Sequence, residues 1–269
     1  MIGGGLVLIL YPTIGWFGSM LLLAFGTAIP LVQLCFFREP ASITERHTSH
    51  TEHARFRDLL TFFGRPGMWR WLILLLIYPL GVSTASGLIT PLLVDAGWSL
   101  ERIGFSINIV GSLLGMLSAI VTGWMIRRLG RKPVMFGTAL AMGFSLLLLL
   151  APAIGVTNDF TVGAVIGALF LLYSPAAAVL STVMMDNARP NAAGTDFTLQ
   201  YCVYALIGFV AGGAGLGLAG VFGYPAVIVG TSVAAFVAAL LVALLYAPTQ
   251  AAARVPLAVS PKTEASTLE

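Results

Sequence analysis

The chain has 269 residues, of which 58% are hydrophobic and only 9% charged, with a formal net charge of +3. A soluble domain carries about 25% charged residues, so there is too little polar sequence here to coat a globule. The mean hydropathy of +0.95 points to lipid as the solvent, and the pI near 9.1 reflects a few basic turns and says nothing of nucleic acid.

In chain order, residues 1–11 are apolar but too short to cross a bilayer. Pro12, Thr13 and Gly15 then read as a tight turn. Seven long apolar runs follow: 16–37, 70–94, 102–126, 133–152, 160–185, 198–221 and 225–247. Each has about 20 residues or more, enough for a helix to cross a ~30 Å hydrocarbon core. The segment 38–69 differs in composition, being polar and charged and containing Pro40 and Pro66; it divides one full and one partial helix from six helices over 70–247. The tail 248–269 is rich in Ala, Pro and Ser and is expected to be disordered.

When the connecting segments are numbered alternately, every Lys and Arg except Arg102 falls on one set. The positive-inside rule then places 38–69, 127–132, 186–197 and the C-terminus in the cytoplasm. Parity puts the turn near Gly15 on the other side, so Met1 is expected to start part-way up a helix. Either this is a short half-span segment, or the chain is the back part of a longer protein. No cleavable signal peptide is evident. Cys35 and Cys202 lie inside apolar runs and read as free, buried thiols.

Between the third and fourth runs stands GWMIRRLGRKP, residues 123–133. Four cations in a short turn belong on the basic face, and Gly130 permits a φ > 0 turn between antiparallel helices. A plain membrane anchor would need no more than this. The string also resembles the loop signature of the major facilitator superfamily, Gly-x-x-x-Asp-Arg-x-Gly-Arg-Lys/Arg. Gly123, Arg128, Gly130, Arg131 and Lys132 match, and Arg127 stands where the pattern has a carboxylate. In the family that carboxylate engages a neighbouring helix terminus and helps gate transport, so Arg127 puts this latch in doubt.

The resemblance implies an all-α integral membrane protein. It would comprise the six-helix C-terminal bundle of a twelve-helix fold, plus one full and one partial helix of the N-terminal half. It also implies a secondary transporter working by alternating access, with no enzymatic activity. A second string, Gly194-Thr195-Asp196-Phe197-Thr198-Leu199-Gln200, resembles siderophore permeases of the rhizobactin and pyochelin importer type and the related muropeptide and acetyl-CoA permeases. This implies a proton-driven importer in the inner membrane of Gram-negative bacteria. The expected partners are membrane lipid, a siderophore-like small molecule, and either a missing N-terminal half or a second copy of the chain. No nucleic acid or cofactor is implied.

Several residues are candidates for function. Asp196 has two readings: a helix N-cap, or a protonatable group that couples transport to the proton gradient. Asp186 either contacts Arg189 or another counter-charge, or is solvated. Pro79, Ser83, Ser86 and Thr90 fall within about 60° of arc at helical spacing, a narrow polar stripe. Asn108 and Ser112 lie on a face of small residues, where close packing competes with a pathway role. Tyr173 and Ser174 precede the interior Pro175, a candidate kink, and Gln200 and Tyr204 lie one turn apart. Tyr78, Tyr173, Tyr201 and Tyr204 could stack against a catechol or phenol, or simply sit at the interface.

His47, His50 and His53 spread over roughly 120° of a helix and form no metal cage, so no metal site is expected. Gly3, Gly4 and Gly5 lack the lysine of a phosphate loop. No Ser/His/Asp arrangement, paired-carboxylate site or dinucleotide fingerprint occurs.

Overall fold

The computed structural model describes residues 2–36, 62–189 and 192–246. Among the described residues all regular structure is helical, and seven helices are long and apolar enough to cross a membrane. Lipid offers no hydrogen-bond partner to the backbone, and a helix satisfies its own. We number the helices α1 (Ile2–Phe36), α2 (Met68–Asp95), α3 (Leu100–Gly104), α4 (Gly111–Leu129), α5 (Arg131–Leu148), α6 (Leu150–Ala153), α7 (Asp159–Asn187), α8 (Ala193–Phe222) and α9 (Tyr224–Leu245). A π-helical turn, Phe105–Val110, joins α3 to α4.

The turn expected around Pro12, Thr13 and Gly15 is narrower than its sequence suggests. The backbone is helical through Pro12 and Thr13 and departs from helix at Gly15 alone, with φ 63° and ψ −173°. Ser19 donates its hydroxyl to the Gly15 carbonyl at 2.8 Å, satisfying an acceptor beside the break. The expected linker 38–69 falls largely outside the described residues, as do the histidines at 47, 50 and 53 and the tail 248–269. Its last part, from Phe62 to Gly67, is described, and Phe62 is fully buried in the core.

The helix ends follow local chemistry. Asn158 caps α7 by accepting the Thr161 N–H at 2.7 Å. Gly130, at φ 86°, separates α4 from α5, and Gly223, at φ 81°, separates α8 from α9. Pro79, Pro91 and Pro175 sit inside continuous helices. Hydroxyls within the helices mostly serve their own backbone: Thr84 donates to Leu80, Ser86 to Val82 and Thr138 to Val134, each at 2.8 Å.

The core lies among α2, α5, α7 and α9, where Leu74, Leu75, Met135, Leu146, Val179 and Ile228 are essentially inaccessible. Two seams of small residues tie α8 and α4 to this core. On the first, a methyl added to Gly87 of α2 would lie 2.8 Å from the Gly212 carbonyl oxygen of α8, and one added to Gly215 would meet Thr84. On the second, Gly111 of α4 lies under the Phe170 ring and Gly115 under the Ser174 hydroxyl of α7. Gly208, Gly212 and Gly215 of α8 thus serve close packing against α2, while Gly213, Gly217 and Gly220 face open space. Helix α1 meets the rest along α3 and the π-turn and leaves Trp16, Phe17, Phe25 and Phe36 exposed. Cys35 and Cys202, expected to be buried, are both exposed, because their faces of α1 and α8 point away from the bundle.

The first seam gives a test. Gly87→Ala forces backbone against backbone and should cost about 1–3 kcal/mol. Gly213→Ala places its new carbon with nothing within 4 Å and should be neutral or gain up to about 1 kcal/mol. Thermal unfolding of the two variants in detergent measures the difference.

Candidate solute cleft and basic-end network

A cleft of about 200 Å³ opens between α2, the π-turn and α7, lined by Val82, Ala85, Ser86, Ile89, Thr90, Ile107, Leu169, Phe170 and Tyr173. Three of the sequence candidates, Ser86, Thr90 and Tyr173, meet here. Ser86 and Thr90 are exposed, so this wall faces outward. Tyr173 lies close to Tyr204 of α8. From there aromatic rings continue along the molecule: Phe170 to Tyr173 at 6.3 Å, Tyr204 to Tyr201 at 5.7 Å, and Tyr201 stacked on Phe197 at 6.2 Å.

The remaining candidates lie elsewhere. The stripe on α2 splits, because Ser83 turns toward Gly208 of α8 instead of the cleft. Tyr78 is buried, with its phenol oxygen 2.8 Å from the Thr138 hydroxyl of α5. Ser174 is spent on the contact with Gly115. Asn108 lies in the π-turn and donates to the Gly104 carbonyl at 3.1 Å. There the Gly111 N–H reaches back five residues to Ser106, and such turns recur at functional sites. The Ser112 hydroxyl is shielded and has no partner among the described residues.

Six residues of the cleft wall, Val82, Ala85, Ile89, Ile107, Leu169 and Phe170, escape a reading of the sequence. Apolar residues at membrane depth look alike whether they face lipid, core or cleft. Only the π-turn, which brings Ile107 into the cleft, could have betrayed them, and it has no proline to mark it.

Gln200 belongs to a different assembly, at the end of the bundle that carries the 127–132 turn. Its carbonyl accepts the Trp71 indole N–H at 2.7 Å, and its amide donates to the Met184 and Asp196 carbonyls, both at 3.0 Å. The side chain is fully buried, so its polar atoms are occupied within the protein. One turn away, Asp196 is equally buried. It is not the N-cap: Ala192 holds that position, and Asp196 lies beyond it inside α8. Its carboxylate accepts the Arg189 backbone N–H at 2.9 Å and the guanidinium Nε at 2.8 Å on one oxygen, and Nη2 at 2.7 Å on the other. The carboxylate closes the loop entering α8 instead of satisfying its first turn. Arg65, stacked over Phe62, donates to the Asn187 carbonyl at 2.9 Å. Burial lowers its pKa from the ordinary value, and the nearby Asp196 carboxylate opposes that shift.

The turn between α4 and α5 is tied in by Arg131. Its guanidinium forms an ion pair with Asp186 of α7, Nη2 reaching Oδ1 at 2.9 Å. Asp186 is thus neither solvated nor paired with Arg189. Arg127 remains exposed and donates to the Gly123 carbonyl at 3.3 Å, while Arg128 lies over the Trp124 ring. Lys132 is exposed. In this ion pair the turn supplies the cation, and the carboxylate comes from another helix. At the opposite end the contacts are more exposed: Arg102 with Asp159 at 2.8 Å, Tyr224 with Asp95 at 2.6 Å, and the Trp98 indole with the Thr157 carbonyl at 3.3 Å.

The Arg131 pair is partly shielded, with side chains 35% and 19% exposed. Arg131→Gln or Asp186→Asn should each cost about 1–3 kcal/mol, between the values for surface and buried pairs. The charge-swapped double variant, Arg131→Asp with Asp186→Arg, should regain part of the loss. Thermal unfolding in detergent reads all three.

A family model described as Major Facilitator Superfamily matches residues 1–212. That match covers more than three quarters of the chain and ends within α8. The chain belongs to the Major Facilitator Superfamily and is a multi-pass membrane protein of the secondary-transporter class.

Proposed function

We propose that this chain supplies one wall of an alternating-access pathway that imports a siderophore-like solute, driven by protons, across a bacterial inner membrane. The observation that carries the reading is the outward cleft with Ser86, Thr90 and Tyr173 on one wall. From it a line of aromatic rings runs through Tyr204 and Tyr201 toward the basic end. Hydroxyls and rings together suit a solute bearing phenols or catechols. Residues 194–200 resemble siderophore permeases and the related muropeptide permeases alike, so the choice of a phenolic cargo rests on the hydroxyls and rings of the cleft.

In this reading the basic turns and the C-terminus lie in the cytoplasm. The second wall comes from a partner bundle, either an N-terminal half or a second copy of the chain. The exposure of Ser86 and Thr90 supports such a partner. It equally supports a second reading, in which the chain alone is a half-transporter or membrane scaffold that moves nothing until it is joined. The turn 123–132, with Arg127, Arg128, Arg131 and Lys132, acts as the cytoplasmic gating loop.

Asp196 is the proposed coupling site. Its carboxylate takes three hydrogen bonds from Arg189, so protonation competes directly with that pairing. Proton binding and release of the loop entering α8 are then one event.

Uptake of labelled ferric siderophore into vesicles containing the chain, alone and with a co-expressed N-terminal bundle, tests the proposal. Accumulation is expected in at least one arrangement; none in either defeats the importer reading. Tyr204→Ala should raise the apparent KM about two- to ten-fold. Asp196→Asn should abolish accumulation driven by a pH gradient yet leave counterflow exchange. Full gradient-driven uptake by that variant would remove Asp196 from the coupling role.

A further inference from the structure

At the basic end a second cavity, of about 540 Å³, lies between the start of α2 and the end of α9. Its lining includes Arg65, Arg70, Trp71, Leu74, Leu245 and Tyr246. Among the described residues, the charges around it do not cancel. Arg131 is taken up by Asp186 and Arg189 by Asp196. Neither Arg65 nor Arg70 has a carboxylate within ion-pair distance among the described residues, although Asp196 acts on Arg65 at longer range. Arg65 is held in place by Phe62 and the Asn187 carbonyl, while Arg70 is exposed and lies 5.5 Å from the centre of the Trp69 ring.

The depth of the cavity matters as much as its charge. Helix α2 turns apolar from Trp71 onward, and α9 ends at Leu245. The cavity therefore straddles the boundary between hydrocarbon and headgroups, where Trp and Tyr are favoured. Its outer rim is cationic and its floor, Leu74 and Leu245, is apolar. α2 also begins here without a side-chain cap, adding the positive end of its dipole. A ligand fitting this arrangement is anionic at one end and hydrocarbon at the other.

We propose that the cavity is a binding site for the phosphodiester headgroup of an anionic phospholipid, with Arg65 and Arg70 holding the phosphate and the acyl chains descending past Leu74 and Leu245. The phosphate could in principle come from lipid or from solution, and the apolar floor commits the site to lipid. The site is separate from the cleft around Ser86 and Thr90, so it does not rest on the identity of the transported solute.

Native mass spectrometry of the full chain, extracted with phosphatidylglycerol and phosphatidylcholine in equal amounts, tests this. Phosphatidylglycerol should be retained in preference. Arg70→Gln should weaken retention about five-fold, and Arg65→Gln with Arg70→Gln about twenty-five-fold, from the worth of each basic residue near an anionic surface. Arg102→Gln, at the opposite end, should change nothing. Should the loss of Arg65 unfold the protein, Arg70→Gln alone still decides, since the Arg70 side chain is exposed and makes no hydrogen bond to the described residues. Equal retention of the two lipids, or undiminished retention by Arg70→Gln, overturns the site. Displacement of phosphatidylglycerol by millimolar inorganic phosphate would assign the cavity to a soluble anion and overturn the lipid.

Discussion

Inside a bilayer no water is available to complete a hydrogen bond, and this single deficit organises the chain. Backbone groups answer it by forming helices. Side-chain hydroxyls answer it by bonding the carbonyl one turn back, as Thr84, Ser86 and Thr138 do. Longer polar groups answer it across helices. Gln200 fills its amide with Trp71, Met184 and Asp196, and Asp196 in turn fills its carboxylate with Arg189. Once these groups have been served, the polar atoms left over are few, and Thr90 beside the cleft is among them. A pathway for a polar solute can use such leftovers together with hydroxyls such as Ser86, which donates to its own backbone and still offers its oxygen as an acceptor.

The same deficit explains how much could be read from the sequence. Spans were legible because twenty apolar residues without charge have few other homes. Gly130 was legible because a four-cation turn between two spans needs a residue that tolerates positive φ, and it stands at 86°. Side-chain partners were harder. Asp186 and Arg131 are 55 residues apart, and nothing in either neighbourhood names the other. Trp71 and Gln200 are separated by 129. Helical spacing placed Ser83, Ser86 and Thr90 on one stripe, but a stripe of 60° or so is wide enough to straddle a groove between two neighbours. Ser83 fell on the α8 side and the other two on the cleft side. Asp196 misled for a related reason. A carboxylate near a helix start is usually a cap, and only the placement of Arg189 beside it in space revealed the other use.

The two ends of the bundle are held differently, and the difference bears on motion. At the basic end, Arg131 with Asp186, Arg189 with Asp196, Arg65 with Asn187 and Trp71 with Gln200 interlock α2, α5, α7 and α8 through shielded contacts. Breaking the contacts of Gln200 or Asp196 would strand a fully buried polar group, which raises their cost well above that of a surface pair, while the Arg131 and Arg65 contacts are partly shielded. At the other end, Arg102 and Asp159 are 58% and 70% exposed and are worth little.

Sliding of one helix past another within the bundle is therefore expensive at the basic end, and the glycine seams at Gly87 and Gly111 add a steric penalty along the length. A secondary transporter must nonetheless expose its site to each side in turn. If the interior of this bundle resists shear, the movement has to occur where the bundle meets something else. The face bearing Ser86 and Thr90 and the weakly attached α1 are the surfaces with few internal ties. Rocking against the proposed partner bundle at that face is the motion that leaves these internal contacts intact, whatever is carried.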